Sequence, residues 1–233
     1  MIGVIGGMGP LATADFVQKV IAATPAEHDE DHVPLLISND PRIPRRPAAI
    51  LKHAESPLLR LIEIRDRLTN AGASALVMPC NTAHYWHQEL AAGCGLPFPS
   101  IIEATCDVAV SKTANQDRVG IVATKATLAS GLFQAALEQR QRDTMLPTEQ
   151  VSEQLMLPAI AHVKAGRLDK AGPLMTATVE HLLQRGAKTV ILACTEAPIA
   201  MANSPDALAR SCIDSTEALA LATVKLWREL QAR

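Results

Sequence analysis

The sequence has no excess charge of either sign: 22 lysines and arginines stand against 24 aspartates and glutamates, for a formal net charge of -2. Nucleic acids and acidic membrane surfaces are held by a basic excess or stripe, so neither is an expected partner. No apolar run approaches the ~18 residues of a membrane span. The first ten residues hold no lysine or arginine ahead of their apolar stretch, which an export signal would carry. Cysteine is sparse, with five scattered through 233 residues, unlike the dense frameworks of small secreted domains. These absences lead us to expect a reducing, cytoplasmic setting and a small-molecule partner. With 48% hydrophobic residues, the chain can build one large α/β domain or two of roughly 100 residues.

What the chain does contain is a repeat of itself. Residues 68–83, LTNAGASALVMPCNTA, return without a gap at 182–197 as LLQRGAKTVILACTEA, which sets Cys80 on Cys194. In each copy a polar helix end stops at a glycine (Gly72, Gly186), a short apolar run follows, and a cysteine with polar neighbours closes it. That pattern reads helix, strand, loop. Residues 2–16 likewise overlay 119–133, where Gly3, Leu11, Ala12 and Phe16 meet Gly120, Leu128, Ala129 and Phe133. Two matches in the same order, at offsets of 117 (2 to 119) and 114 (80 to 194) residues, indicate internal duplication. Strands are expected at 2–5 and 35–40, and helices at 11–23, 57–71, 147–165, 172–185 and 215–230. Ile102 with Glu103, and Ile213 with Asp214, look like matching strand ends. The expected fold is therefore α/β, with two pseudosymmetric lobes, each a parallel sheet flanked by helices. We expect one lobe from residues 1–98 plus 212–233 and the other from 99–211.

Cys80 and Cys194 each follow a strand, at the edge where open α/β sheets bind ligands. A lone buried cysteine is ordinarily a packing residue, and Cys94, Cys106 and Cys212 are read so. The duplicated pair is different, because it should face across a cleft. A disulfide is the rival reading, but it needs sulfur contact at ~2 Å and an oxidising setting. Two opposed thiols suit removal of a proton from one face of a carbon and delivery to the other, since a thiol near pKa ~8.5 serves as base or acid after a modest shift. Backbone amides and the hydroxyls of Thr82, Thr124 and Thr195 are candidates to hold the developing carbanion and its carboxylate. Residues 41–47 contain three prolines and three arginines. They predict a stiff cationic loop, able to hold Arg46 over a site. Glu196 is placed to orient Cys194 or raise its pKa.

Two other signals are weaker. Residues 7–12, GMGPLA, satisfy a dinucleotide-binding pattern, yet the duplicate loop at 124–129 lacks the glycines. His84 and His87, with His53 elsewhere, have no carboxylate at ligand spacing and read as helix-face residues, so no metal is expected.

Residues 6–13 (GGMGPLAT), 78–84 (MPCNTAH) and 193–196 (ACTE) make the chain resemble the aspartate/glutamate racemase superfamily, closest to its cofactor-independent aspartate racemases. The resemblance covers essentially the whole chain. It implies racemisation of an acidic amino acid, aspartate or glutamate, without pyridoxal phosphate or another cofactor, by a homodimer. Cys80 and Cys194 would be the two acid/base residues. Asn81, Thr82 and Thr195 would hold the α-carboxylate or amino group, and Met8 and Thr124 would line the pocket. Arg46 and Lys164 match the family's cations for the side-chain carboxylate, implying a dianionic substrate. One departure is Arg45, where aspartate-preferring relatives can carry an acidic residue, so glutamate stays open. Other readings are a maleate cis-trans isomerase, a hydantoin racemase, a non-catalytic diacid-binding module, a nucleotide-dependent redox enzyme, or a pyridoxal enzyme using Lys164.

Overall fold

The structure is a computed structural model that describes residues 1–232. Two compact units form, one from Met1–Ala104 with the segment beginning at Thr216, the other from Thr105–Ser215.

In the first unit, β1 (Ile2–Gly6), β2 (Leu35–Asn39) and β3 (Ala75–Val77) make an all-parallel sheet in the order β2-β1-β3. Its helices are α1 (Pro10–Ala23), α2 (Arg46–Lys52), α3 (Leu58–Asn70) and α4 (His87–Ala92), and the chain leaves along α5 (Ile101–Lys112). In the second unit, β4 (Arg118–Val122), β5 (Asp143–Met145), β6 (Thr189–Leu192) and β7 (Cys212–Asp214) are parallel in the order β5-β4-β6-β7. Around them lie α6 (Lys125–Ser130), α7 (Leu132–Glu138), and α8 (Glu149–Val151), which continues through a π turn at Ser152–Met156 into α9 (Leu157–Lys164). α10 (Leu168–Gln184), α11 (Ala197–Met201) and α12 (Asp206–Arg210) follow, and α13 (Ser215–Gln231) closes the chain. Parallel neighbours require crossovers, and helices on the sheet faces explain why β1, β3 and β6 are buried at every residue.

The duplication is visible in the packing as well as in the topology. Gly3 pairs with Leu76, and Gly120 with Val190, at equivalent rungs of the two sheets. A Cβ on Gly3 would lie 2.8 Å from Leu76 Cδ2 and 3.2 Å from Leu68 Cβ. On Gly120 it would lie 3.1 Å from Val190 Cγ2 and 3.3 Å from Leu182 Cβ. The absent side chain thus makes room for the same helical leucine in both halves, Leu68 on α3 and Leu182 on α10. Leu61, Ile64 and Leu68 form the buried stripe of α3, and Met175, Val179 and Leu182 that of α10. Burying each such side chain stabilises the fold by roughly 1.5–3 kcal/mol. Phe16 on α1 and Phe133 on α7 occupy equivalent buried positions.

Two local expectations are corrected. Ile102 and Glu103 are not a strand end but lie in the first turn of α5. The stretch that corresponds to β7 is the segment before it, where Leu76 N–H donates to Pro97 O at 2.9 Å just as Val190 N–H donates to Ser211 O at 2.9 Å. Pro97 and Pro99 have no N–H to return, so no ladder extends there. The arginine-proline loop ends at Arg45, because Pro47 fits the first turn of α2 and Arg46 is already helical. The second-unit counterpart of α1 is split, with Gly131 at φ +69 separating α6 from α7.

Adding one methyl at the equivalent glycines should cost stability in both units. Gly3→Ala is expected to lower the urea unfolding free energy by about 1–3 kcal/mol through overpacking, with a smaller loss for Gly120→Ala, where the nearest neighbours stand farther off.

Candidate active site

In the first unit the site candidates gather where β1 and β3 end. β1 runs into Gly7, whose φ is +93 and whose Cβ, if present, would lie 2.2 Å from the Asp40 carbonyl oxygen. Only glycine fits this approach. Thr13, one turn into α1, staples the loop: its hydroxyl accepts from Gly7 N–H at 2.9 Å and donates to Gly9 O at 3.1 Å. Met8 is thereby held inward, in the same buried cluster as Ile43 and Cys80. Past β3, Cys80 N–H donates to Met78 O at 2.8 Å, closing a tight turn around Pro79. Cys80 is 4% exposed and Asn81 2%. Thr82 begins the 3₁₀ turn Thr82–Trp86.

Arg46 points back along its own loop, with Nη1 donating to Ile43 O and Pro44 O, each at 3.2 Å, while its buried Nε has no hydrogen-bond partner. Arg45 is exposed. Beneath the loop lies Asp40, which accepts from the backbone and side chain of Arg42 and from Arg60. The Arg42 and Arg60 guanidiniums hold its carboxyl far below the usual carboxylate range.

In the second unit the matching edge carries Thr124, two residues past Val122, and Cys194, two residues past Leu192, and those strand ends are paired. Thr124 caps α6, accepting from Thr127 N–H at 3.2 Å with its hydroxyl 3.0 Å from that of Thr127. Cys194 is 4% exposed and Thr195 3%. The Cys194 thiol donates to Glu196 Oε2 at 3.0 Å, and Lys164 Nζ lies 3.5 Å from Glu196 Oε1. Burial first, then the Glu196 carboxylate, push this thiol well above its ordinary range, while the Lys164 ammonium pulls the other way. Within this unit the structure brings together Cys194, Glu196 and Lys164. Lys164 is therefore not a bare helical cation but the partner of a buried carboxylate.

All five cysteines are free thiols, with Cys106 and Cys212 buried and Cys94 bonded to the carbonyls of Ala91 and Leu96. Among the described residues no cluster of histidine, cysteine or carboxylate is arranged for a metal ion, and no helix is long and apolar enough to cross a membrane. Sequence reading missed Thr13, Asp40 and the part played by His84. His84 is 4% exposed and lies in the 3₁₀ turn Thr82–Trp86 rather than on an α-helix face. No side-chain pattern flags these residues, since Thr13 and His84 act through backbone groups and Asp40 is set by the approach of Gly7 to its backbone.

If Glu196 keeps the Cys194 thiol protonated, removing its charge should release the thiolate. Glu196→Gln is expected to accelerate iodoacetamide alkylation of Cys194 near pH ~8.5, by about tenfold for each pKa unit recovered, as followed by mass spectrometry of the Cys194 peptide.

The profile of the Asp/Glu/Hydantoin racemase family matches residues 5–223. Among solved structures, the aspartate racemase of Picrophilus torridus superposes with a TM-score of 0.84 at 31% identity, over 97% of this chain and 93% of that one. The broad specificity amino-acid racemase RacX of Bacillus subtilis is 24% identical over 100% of both chains. A glutamate racemase of Pseudomonas aeruginosa is 34% identical over 154 residues, which are 63% of this chain and 54% of that protein. The family match begins in the first strand, takes in both cysteine turns and ends in the last helix, and the chain belongs to the Asp/Glu/Hydantoin racemase family.

Proposed function

We propose that this protein racemises an acidic amino acid, aspartate first and glutamate second, without an organic cofactor, using Cys80 and Cys194 as its two acid/base groups. The observation that carries the reading is the equivalent placement of two buried, free cysteines past equivalent strands, in a chain that matches a racemase family almost end to end. The aspartate racemase of Picrophilus torridus, alike over nearly the full length of both chains, favours aspartate.

In one direction the Cys80 thiolate takes the α-proton, leaving a carbanion conjugated with the α-carboxylate. Cys194 then delivers its thiol proton to the opposite face of Cα and becomes the thiolate. The other enantiomer is converted by the same two transfers in reverse, so no net proton is gained or lost. The hydrogen bond from the Cys194 thiol to Glu196 supports a protonated Cys194 as the starting donor. Asn81, Thr82 and Thr195 adjoin the two cysteines and are assigned to the α-carboxylate and amino group, with Met8 and Thr124 lining the pocket. Arg46 and Lys164 are assigned to the side-chain carboxylate. The buried Nε of Arg46, without an acceptor, suits such an anion. We further propose that the protein works in the cytoplasm as a homodimer.

The test is chiral chromatography of L-aspartate and L-glutamate incubated with purified protein and no added cofactor. D-Aspartate should accumulate, and Cys80→Ala and Cys194→Ala should each lower the rate by about 10²- to 10⁴-fold. Near-normal turnover in either variant would contradict the two-base assignment. Conversion of maleate or a hydantoin instead of an amino acid would move the chain to another chemistry.

A further inference from the structure

Cys80 and Cys194 sit on equivalent turns, but those turns are fixed by different means. The Cys194 carbonyl accepts from the backbone of Ala197 at 2.8 Å, entirely within its own loop. The Cys80 carbonyl instead takes a side-chain donor: His84 Nδ1 lies 2.9 Å away, and on the other side of the ring His84 Nε2 accepts from Ile101 N–H at 3.0 Å. A backbone N–H can only donate, so Nε2 carries the lone pair and the proton resides on Nδ1, which donates to Cys80 O. The position equivalent to His84, at the offset of 114, is Pro198, which can make neither bond.

The imidazole is enclosed. It stacks on His87, with ring centroids 4.9 Å apart and planes 8° from parallel. His87 in turn bonds Phe98 O through Nε2 at 2.9 Å and meets the Phe98 ring edge-on. Burial, then the neighbouring His87, draw the His84 pKa down to about 3, which keeps the ring neutral with one donor and one acceptor. The Ile101 amide is one of the orphan donors at the start of α5, whose next two N–H groups face Ser100 Oγ at 3.2 and 3.4 Å. One ring thus ties the Cys80 turn to a helix start 17 residues beyond His84. With its N–H held by Met78 O and its C=O held by His84, Cys80 has its backbone clamped on both sides of Cα, and this sets the direction of Cα–Cβ.

We propose that His84 is a positioning residue for Cys80, aiming its thiol by holding the Cys80 carbonyl to the first amide of α5. The proposal rests on the acid/base role assigned to Cys80, and its test is chosen to read out positioning with or without catalysis. Two substitutions split the bridge. His84→Asn places an amide donor near the Nδ1 position, keeping the Cys80 bond and dropping the Ile101 bond. His84→Gln places its amide near Nε2, keeping the Ile101 bond and dropping the Cys80 bond. The readouts are the ratio of Cys80 to Cys194 alkylation by iodoacetamide, resolved by peptide mass spectrometry, together with kcat, KM and the unfolding midpoint.

His84→Gln should shift the alkylation ratio and lower kcat by about 10- to 100-fold, with little change in KM. His84→Asn should keep the ratio and kcat near those of the unsubstituted protein even where its unfolding midpoint falls. An unchanged ratio in His84→Gln, or a ratio shifted by His84→Asn, overturns the proposal, and the latter outcome decides the matter if only that variant folds. If the unsubstituted protein racemises nothing, the racemase reading fails on its own while the alkylation ratio still decides whether His84 aims Cys80.

Discussion

Each half of the protein depends on one close contact, a glycine in its first strand with a leucine from a later helix lying over it. Because Gly3 and Gly120 have no Cβ, Leu68 and Leu182 can press on the sheet at the rungs that pair with Leu76 and Val190. That contact fixes how α3 and α10 hand the chain to β3 and β6. The handover sets the register, and the register decides where β3 and β6 stop. In a parallel sheet all carboxyl ends share an edge, so Met8 and Cys80 emerge together in one unit and Thr124 and Cys194 in the other. The cysteines are placed by the packing of a leucine some twelve residues earlier.

On this shared scaffold the two halves differ in their polar partners. Glu196 stands where the first half has Thr82, and it gives Cys194 an acceptor for its thiol proton and a counter-ion in Lys164. His84 stands where the second half has Pro198, and it gives Cys80 a clamp on its carbonyl. Duplication supplied two equivalent thiols. Divergence at single positions then gave one half an acceptor for its thiol proton and the other a tie on its cysteine carbonyl. In the proposed reaction one thiol starts protonated and the other ionised, and the Glu196 acceptor favours Cys194 as the protonated one.

Much of the fold was legible because the repeat doubled every signal. Gly3 and Gly120, Phe16 and Phe133, and the cysteine turns each confirmed the other copy, and the family motifs lie on those turns. Local chemistry was read less well where it depends on groups brought close only by folding. Ile102 and Glu103 looked like a strand end beside Ile213 and Asp214, yet two prolines upstream remove the N–H groups that a strand would need. Arg46 looked like a loop residue among prolines, but Pro47 suits a helix start. His84 looked like a helix-face residue by its spacing, while its partners Cys80 O and Ile101 N are backbone atoms that no side-chain pattern announces. Asp40 was hidden for the same reason, being defined by Gly7 packing on its backbone.

The central claim is that two different thiols serve the two faces of one carbon, and solvent isotope incorporation tests it most directly. Early in the conversion of L-aspartate in deuterium oxide, proton NMR and mass spectrometry of the separated enantiomers should find deuterium at Cα of the D-aspartate formed. The unreacted L-aspartate should keep its protium, because its proton leaves to one cysteine while the incoming one comes from the other. Deuterium appearing equally in recovered L-aspartate and in product would mean that one group serves both faces, and the two-cysteine account would be wrong.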